Sequence, residues 1–116
     1  MSLRDKQADF AQCVGQLLLE VSRRPGWQVT FGDAYRDARV PYGHPTSCHR
    51  FRLAVDLNLF VNGLWIIDSA APEWKVLGDF WESLDPRARW GGQGSLHPTG
   101  LKHDGNHFSF AHEGVE

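Results

Sequence analysis

The chain has 116 residues, of which 41% are hydrophobic and 22% charged, and its formal net charge is −2. This length fits a single domain over residues 1–116, and the composition is typical of a soluble globular domain rather than a disordered or fibrous chain. Because no run of basic residues stands out, and no apolar stretch approaches the roughly 20 residues of a membrane span, we expect neither a nucleic-acid partner nor membrane insertion.

The first residues contain no apolar segment of the kind that a secretory signal carries, which predicts a cytoplasmic location in the producing cell. Two cysteines, Cys13 and Cys48, are too few for a disulfide framework. Cys13 falls on the apolar side of a predicted helix, so we expect it to be a buried free thiol.

The first element is a predicted helix over residues 3–23, in which apolar residues recur at helical spacing after Ser2, a suitable cap. Pro25 and Gly26 end it. The alternating segment Trp27–Phe31 predicts a half-buried strand, and the turn-forming residues of 36–46 predict a loop.

Strict alternation from residue 50 to residue 60 predicts a strand with two different faces. Asn62 and Gly63 form a dipeptide that favours a two-residue hairpin, with the returning strand over 64–68. In the first strand of this hairpin, one face is entirely apolar, and the other carries Arg52, Ala54, Asp56, Asn58 and Phe60.

Pro72 suits the first turn of a second helix that runs to about residue 85. Glycines and prolines in 86–103 predict a long loop, and 107–110 predicts a last short strand. Tryptophans are expected to anchor the core, with the exception of Trp90 in the loop. The elements together indicate an α+β domain with a small antiparallel sheet flanked by helices.

Asp56 attracts attention because its carboxylate points away from the apolar face and lies next to the small Ala54. His49, seven residues earlier, is able to fold back over the same face. A catalytic zinc site takes three histidine or carboxylate ligands and leaves a position open. His107 is the candidate third ligand, and Asp104, separated from it by a turn that contains glycine, is a candidate general base.

The motifs of this chain resemble those of the D-alanyl-D-alanine carboxypeptidase-type zinc peptidases, and most closely the L-alanyl-D-glutamate endopeptidases that serve as phage endolysins. The resemblance covers about residues 30–110 and rests on four segments: Ser47–Leu57 (SCHRFRLAVDL), Phe80–Glu82 (FWE), Trp90–Gly92 (WGG) and Asp104–Phe108 (DGNHF). The family pattern is Ser-x-His, six residues, Asp, and later an acidic residue three positions before a histidine.

The resemblance implies a hedgehog/D-Ala-D-Ala-peptidase-like fold, Zn²⁺ as cofactor, and hydrolysis of a peptide bond in the peptidoglycan stem by a monomer. His49, Asp56 and His107 match the metal ligands, and Asp104 matches the catalytic acid/base. Arg36 matches the arginine that contacts substrate or the developing oxyanion. The chain departs from the family at Arg52, where the family usually has glycine.

Three further residues are candidates for substrate binding: Ser47, Trp90 and His103. Two alternatives to the endopeptidase stay open at this point. One is a D,D-carboxypeptidase or D,D-dipeptidase, which would use the same ligands on a different bond. The other is a non-catalytic zinc-binding module. As a lysin without an export signal, the protein would reach the cell wall only after another protein opens the membrane.

Overall fold

The structure, a computed structural model, describes residues 2–32, 51–92 and 105–112. Within these ranges it is an α+β fold of two helices and five strands, in the order α1 (Leu3–Ser22), β1 (Trp27–Phe31), β2 (Ala54–Val61), β3 (Leu64–Trp65), α2 (Pro72–Leu84), β4 (Ala88–Trp90) and β5 (His107–Phe110). The loop predicted over 36–46 and Cys48 lie outside the described residues. No helix in the described ranges is long and apolar enough to cross a membrane.

Helix α1 begins where the sequence predicts, because Ser2 forms a capping box with Asp5. The Asp5 N–H donates to Ser2 Oγ at 3.1 Å, and the Ser2 N–H donates to Asp5 Oδ2 at 3.4 Å. One residue per turn of this helix is buried: Phe10, Cys13, Leu17 and Val21. The prediction of a buried Cys13 is thus confirmed, and burial raises the pKa of its thiol.

The strands form one antiparallel sheet in the order β1-β2-β5-β4, and β3 pairs with the last residues of β2. The predicted hairpin is present: Asn62 and Gly63 have φ values of 51° and 82°, as a two-residue hairpin turn requires. Its strands are shorter than predicted, since β2 begins at Ala54 and β3 ends at Trp65. Just before β2, Arg52 has a φ of 57°.

The segment after α2 differs from the prediction of a long loop over 86–103. Residues Ala88–Trp90 form β4, which pairs with β5 so that Trp90 lies opposite Phe108. Local composition could not reveal this strand, because three residues become a strand only when a partner from elsewhere in the chain supplies the hydrogen bonds.

Both helices pack on the same face of the sheet. Phe10 of α1 contacts Trp81 of α2 and Phe110 of β5, with ring centroids 5.6 and 5.3 Å apart. Trp81 also lies 5.9 Å from Phe108. The core therefore fills the space between this helical layer and the apolar face of β2, and Asp56 belongs to the opposite face of the sheet. We call the latter the outer face.

Arg87, just after α2, links α1, the end of α2 and β5. Its guanidinium donates to Asp85 at 2.8 and 2.9 Å and to Asp9 of α1 at 3.1 Å, and it lies over the Phe110 ring at 4.8 Å. The hydrogen bonds from Arg87 hold the pKa of the Asp85 carboxyl below its usual value of 3.8, despite the opposing effect of burial.

We expect Asp85→Asn to lower the free energy of unfolding by roughly 1 kcal/mol at pH 7, because the charge-assisted bonds to Arg87 are lost. A carboxyl whose pKa is lowered by folding stabilises the protein above its unfolded pKa, and this contribution disappears as the pH falls through the folded pKa. Urea unfolding should therefore show a difference between variant and wild type at pH 7 that shrinks below pH 3.8.

Asp79→Asn is the matched control, because among the described residues Asp79 pairs with Lys75 alone, on the solvent-exposed side of α2, where the two side chains are 56% and 70% exposed. Its effect should stay within about 0.5 kcal/mol. A difference for Asp85→Asn that persisted unchanged into strong acid would contradict the assignment.

Candidate functional site

The outer face of the sheet brings Asp56 and His107 together. The antiparallel register of β2 and β5 places the two residues directly opposite each other, so their side chains leave the sheet side by side. Asp56 Oδ1 lies 3.0 Å from His107 Nδ1, and the two side chains keep 15% and 17% of their surface exposed. The pair is thus mostly, but not completely, buried.

The backbone on both sides of Asp56 is fixed by hydrogen bonds. The Leu57 N–H donates to the Asn106 carbonyl at 2.9 Å, and the Gly32 N–H donates to the Asp56 carbonyl at 2.7 Å. Gly32 contributes no side chain, and a Cβ built on it would lie only 3.4 Å from Asp56 Cβ. Because residue 32 is glycine, no side chain from this position lies beside the Asp56 carboxylate.

The turn that leads into His107 is held at Gly105 from two directions. The Gly105 N–H donates to Ser69 Oγ at 3.0 Å, and its carbonyl accepts from Trp90 Nε1 at 2.7 Å. Gly105 is buried, and a Cβ there would lie 3.0 Å from Ser69 Cα and 3.2 Å from Trp74 Cγ. A larger residue would force these neighbours to shift, so glycine suits this close approach, which sets the point from which His107 enters β5.

Trp90 is buried, whereas its sequence context predicts a residue that lines a cleft. It is 6% exposed, and a Cβ on either Gly78 or Gly92 would overlap its indole ring, so both glycines make room for it. The backbone N–H of Trp90 donates to Glu82 Oε2 at 3.0 Å. Trp90 therefore supports the turn at Gly105 from inside the protein.

The other predicted site residues lie outside the described residues: His49 and Asp104, and also Arg36, Ser47 and His103. The structure thus shows two of the three predicted metal ligands, and it shows them together. Within the described ranges, no group of three or more histidine, cysteine, aspartate or glutamate side chains is able to hold a metal ion.

The two described residues fit the requirements of a zinc site. Imidazole nitrogen and carboxylate oxygen are both zinc ligands, and two ligands of one tetrahedral ion at about 2.0–2.1 Å lie about 3.3 Å from each other. The observed distance of 3.0 Å between Asp56 Oδ1 and His107 Nδ1 is close to this value. The same distance also suits a direct hydrogen bond in which Nδ1–H donates to the carboxylate.

Comparison with known proteins adds no assignment, because no family model and no curated protein sequence matches this chain.

Ser69 and Glu82 support the site, but the sequence does not predict this role for either of them. Glu82 belongs to one of the segments that resemble the family, yet nothing in the sequence indicates its bond to the Trp90 backbone. No sequence pattern marks Ser69. Ser69 lies 36 residues before Gly105 in the chain. A single serine in a turn is common, so the contact becomes visible only when the fold brings the two residues together.

Gly105→Ala should lower the free energy of unfolding by about 1–3 kcal/mol, because the new methyl group meets the backbone of Ser69 and the ring of Trp74. Chemical denaturation measures this change. Gly15→Ala is the matched control, since a Cβ at that helical position meets no atom within 4 Å. It should instead raise stability by roughly 0.5–1 kcal/mol. Equal effects of the two variants would show that Gly105 is not constrained.

Proposed function

We propose that this protein is a zinc-dependent peptidoglycan hydrolase of the hedgehog/D-Ala-D-Ala-peptidase-like fold, and that it cleaves the L-alanyl-D-glutamate bond of the stem peptide. The observation that carries the proposal is the convergence of Asp56 and His107, 51 residues apart in the chain, with their donor atoms 3.0 Å apart on the outer face of the sheet.

The backbone at Arg52 gives independent support to the resemblance on which the substrate rests. Arg52 has a φ of 57°, a conformation that is uncommon for residues other than glycine. This is the position at which the family usually has glycine. The departure of the sequence from the family pattern thus concerns the side chain, whereas the backbone conformation is one that glycine favours.

In the proposed site, His49, Asp56 and His107 hold the zinc ion. When bound, zinc acts as a Lewis acid toward the scissile carbonyl and toward water. Asp104 takes a proton from the attacking water and returns it to the leaving amine. Arg36 stabilises the developing oxyanion, for which a permanently charged guanidinium is suited. The bonds that fix Gly105 hold the start of β5, so His107 keeps its position opposite Asp56.

Digestion of purified peptidoglycan by the zinc-loaded full chain, followed by mass spectrometry of the new termini, tests the proposal. We expect new L-alanine carboxyl ends and D-glutamate amino ends. Asp104→Asn should keep its zinc and lose about 10²- to 10⁴-fold in rate, as removal of a general base does. His107→Ala should weaken zinc binding by more than about a hundredfold, since even changes next to a ligand cost up to that much.

His112→Gln is the matched control for His107→Ala. His112 lies just after β5 but packs against the Phe51 ring at 4.7 Å and contacts Lys6 Nζ at 3.1 Å, away from Asp56. The control should keep both zinc and activity. Release of terminal D-alanine would instead identify a D,D-carboxypeptidase. Zinc-loaded protein that leaves peptidoglycan intact, with no effect of Asp104→Asn, would identify a non-catalytic zinc module.

A further inference from the structure

A groove of about 250 Å³ opens beside the candidate site, at the edge of β2. It lies where β2 changes partner, because the start of β2 pairs with β5 and its end pairs with β3. Its wall includes Asn58, Trp65, Ile67, Ser69 and Asn106. Asn106 directly precedes His107, so the groove is adjacent to the candidate site.

Asn58 and Trp65, in the wall of the groove, lie on the same face of the sheet as the candidate ligands. Leu57 and Trp74, which also line the groove, belong to the buried core. Asp56, Asn58 and Phe60 alternate onto the outer face, and Trp65 lies opposite Phe60 just as His107 lies opposite Asp56. Four residues of a strand span about 13 Å, which is therefore the distance along the sheet from the Asp56–His107 pair to the Phe60–Trp65 pair.

Trp65 forms an exposed aromatic platform rather than the core anchor expected from its sequence context. Its side chain is 54% exposed, and Phe60 stacks against it with the two rings inclined by 23°. The Asn58 amide is oriented by a hydrogen bond to Thr30 Oγ1 at 3.2 Å. A flat aromatic face next to amide and hydroxyl groups suits a ligand with one apolar side and several neutral hydrogen-bonding groups.

The lack of charged residues among the described lining of the groove restricts the chemical class of ligand that the groove can bind. Among the described residues that line it, none carries a charge: Leu57, Asn58, Trp65, Ile66, Ile67, Ser69, Trp74 and Asn106. The later residues of a stem peptide bear free carboxylates, which an uncharged groove does not compensate. The amino sugar at the head of the stem, and the L-alanine attached to it, have no such charges within the intact chain.

We propose that this groove binds the N-acetylmuramic acid ring that carries the stem peptide, with the ring packed on Trp65. The inference rests on the proposed function and deepens it. A volume of about 250 Å³ is below the roughly 300–1,000 Å³ of pockets that enclose a whole drug-sized ligand, and so suits one ring of a longer substrate.

The length of the substrate agrees with this placement. L-alanine and the lactyl group separate the L-alanyl-D-glutamate bond from the sugar ring, and two extended units span about 7 Å. The ring then lies in front of Trp65, which is about 13 Å from the Asp56–His107 pair. For a bond cut after the fourth residue of the stem, the sugar would begin about 17 Å away, beyond the groove.

Binding of two probes that contain no scissile bond tests the groove separately from catalysis. N-acetylmuramoyl-L-alanine carries the ring, and lactoyl-L-alanine is the same molecule without it. Titrations of the zinc-loaded full chain, followed by NMR or calorimetry, should give a Kd at least about tenfold lower for the probe with the ring, which corresponds to about 1.4 kcal/mol.

Three variants test whether Trp65 causes the preference for the probe that carries the ring. Trp65→Ala should abolish it, and Trp65→Phe, which keeps an aromatic ring and guards against a folding defect, should retain part of it. Leu64→Ala is the control, since Leu64 is 68% exposed on the same hairpin but is paired with Val61, on the other face. It should bind both probes as the wild type does.

Equal affinity of the wild type for the two probes, or a preference that survives in Trp65→Ala, would overturn the inference. The proposed function can fail separately: a preference that depends on Trp65, in a protein that leaves peptidoglycan uncut, supports the groove and rejects the hydrolase. Cleavage of peptidoglycan with no such preference supports the hydrolase and rejects the groove.

Discussion

The pairing of β2 with β5 is the constraint on which the rest of the structure depends. Phe108 and Phe110 are fully buried against Trp81, and they alternate along β5 with His107 and Ser109. A slip by one residue would turn both phenylalanines to the outer face and His107 into the core. The hydrophobic core therefore selects the register, and the register places His107 opposite Asp56.

This arrangement separates stability from chemistry by the two faces of one sheet. The helices and the aromatic cluster cover one face and provide most of the buried surface. The other face carries Asp56, Asn58 and His107, none of which is needed to fill the core. Asp56 and His107 keep 15% and 17% of their side-chain surface exposed, whereas Phe108 and Phe110 on the other face are fully buried.

The supports of the site come from the helical side. Trp90 is packed between Gly78 of α2 and Gly92, and its indole N–H reaches through to the Gly105 carbonyl. Ser69, just before α2, holds the Gly105 N–H. Packing of α2 on the sheet is thereby transmitted to the turn before His107. Residues that never contact a ligand still determine where that histidine begins its strand.

Much of the fold could be predicted because its signals are local. The capping box at Ser2, the spacing of apolar residues in both helices, the alternation of β2 and the Asn62-Gly63 turn each act within a few residues. Alternation also gave Asp56 the correct face. The strand β4 and the exposure of Trp65 were missed, because each depends on a partner or a neighbour distant in the chain.

The sequence by itself determined which residue types are present and which face of its strand each one occupies, because backbone periodicity is a local property. It named Asp56 and His107 as a pair, but spacing alone does not bring two side chains 51 residues apart to 3.0 Å. Only the tertiary structure decided that. The physical reason is that burial of the aromatic core sets the strand register. This burial depends on many contacts between residues distant in the chain, so no short segment of sequence reveals it.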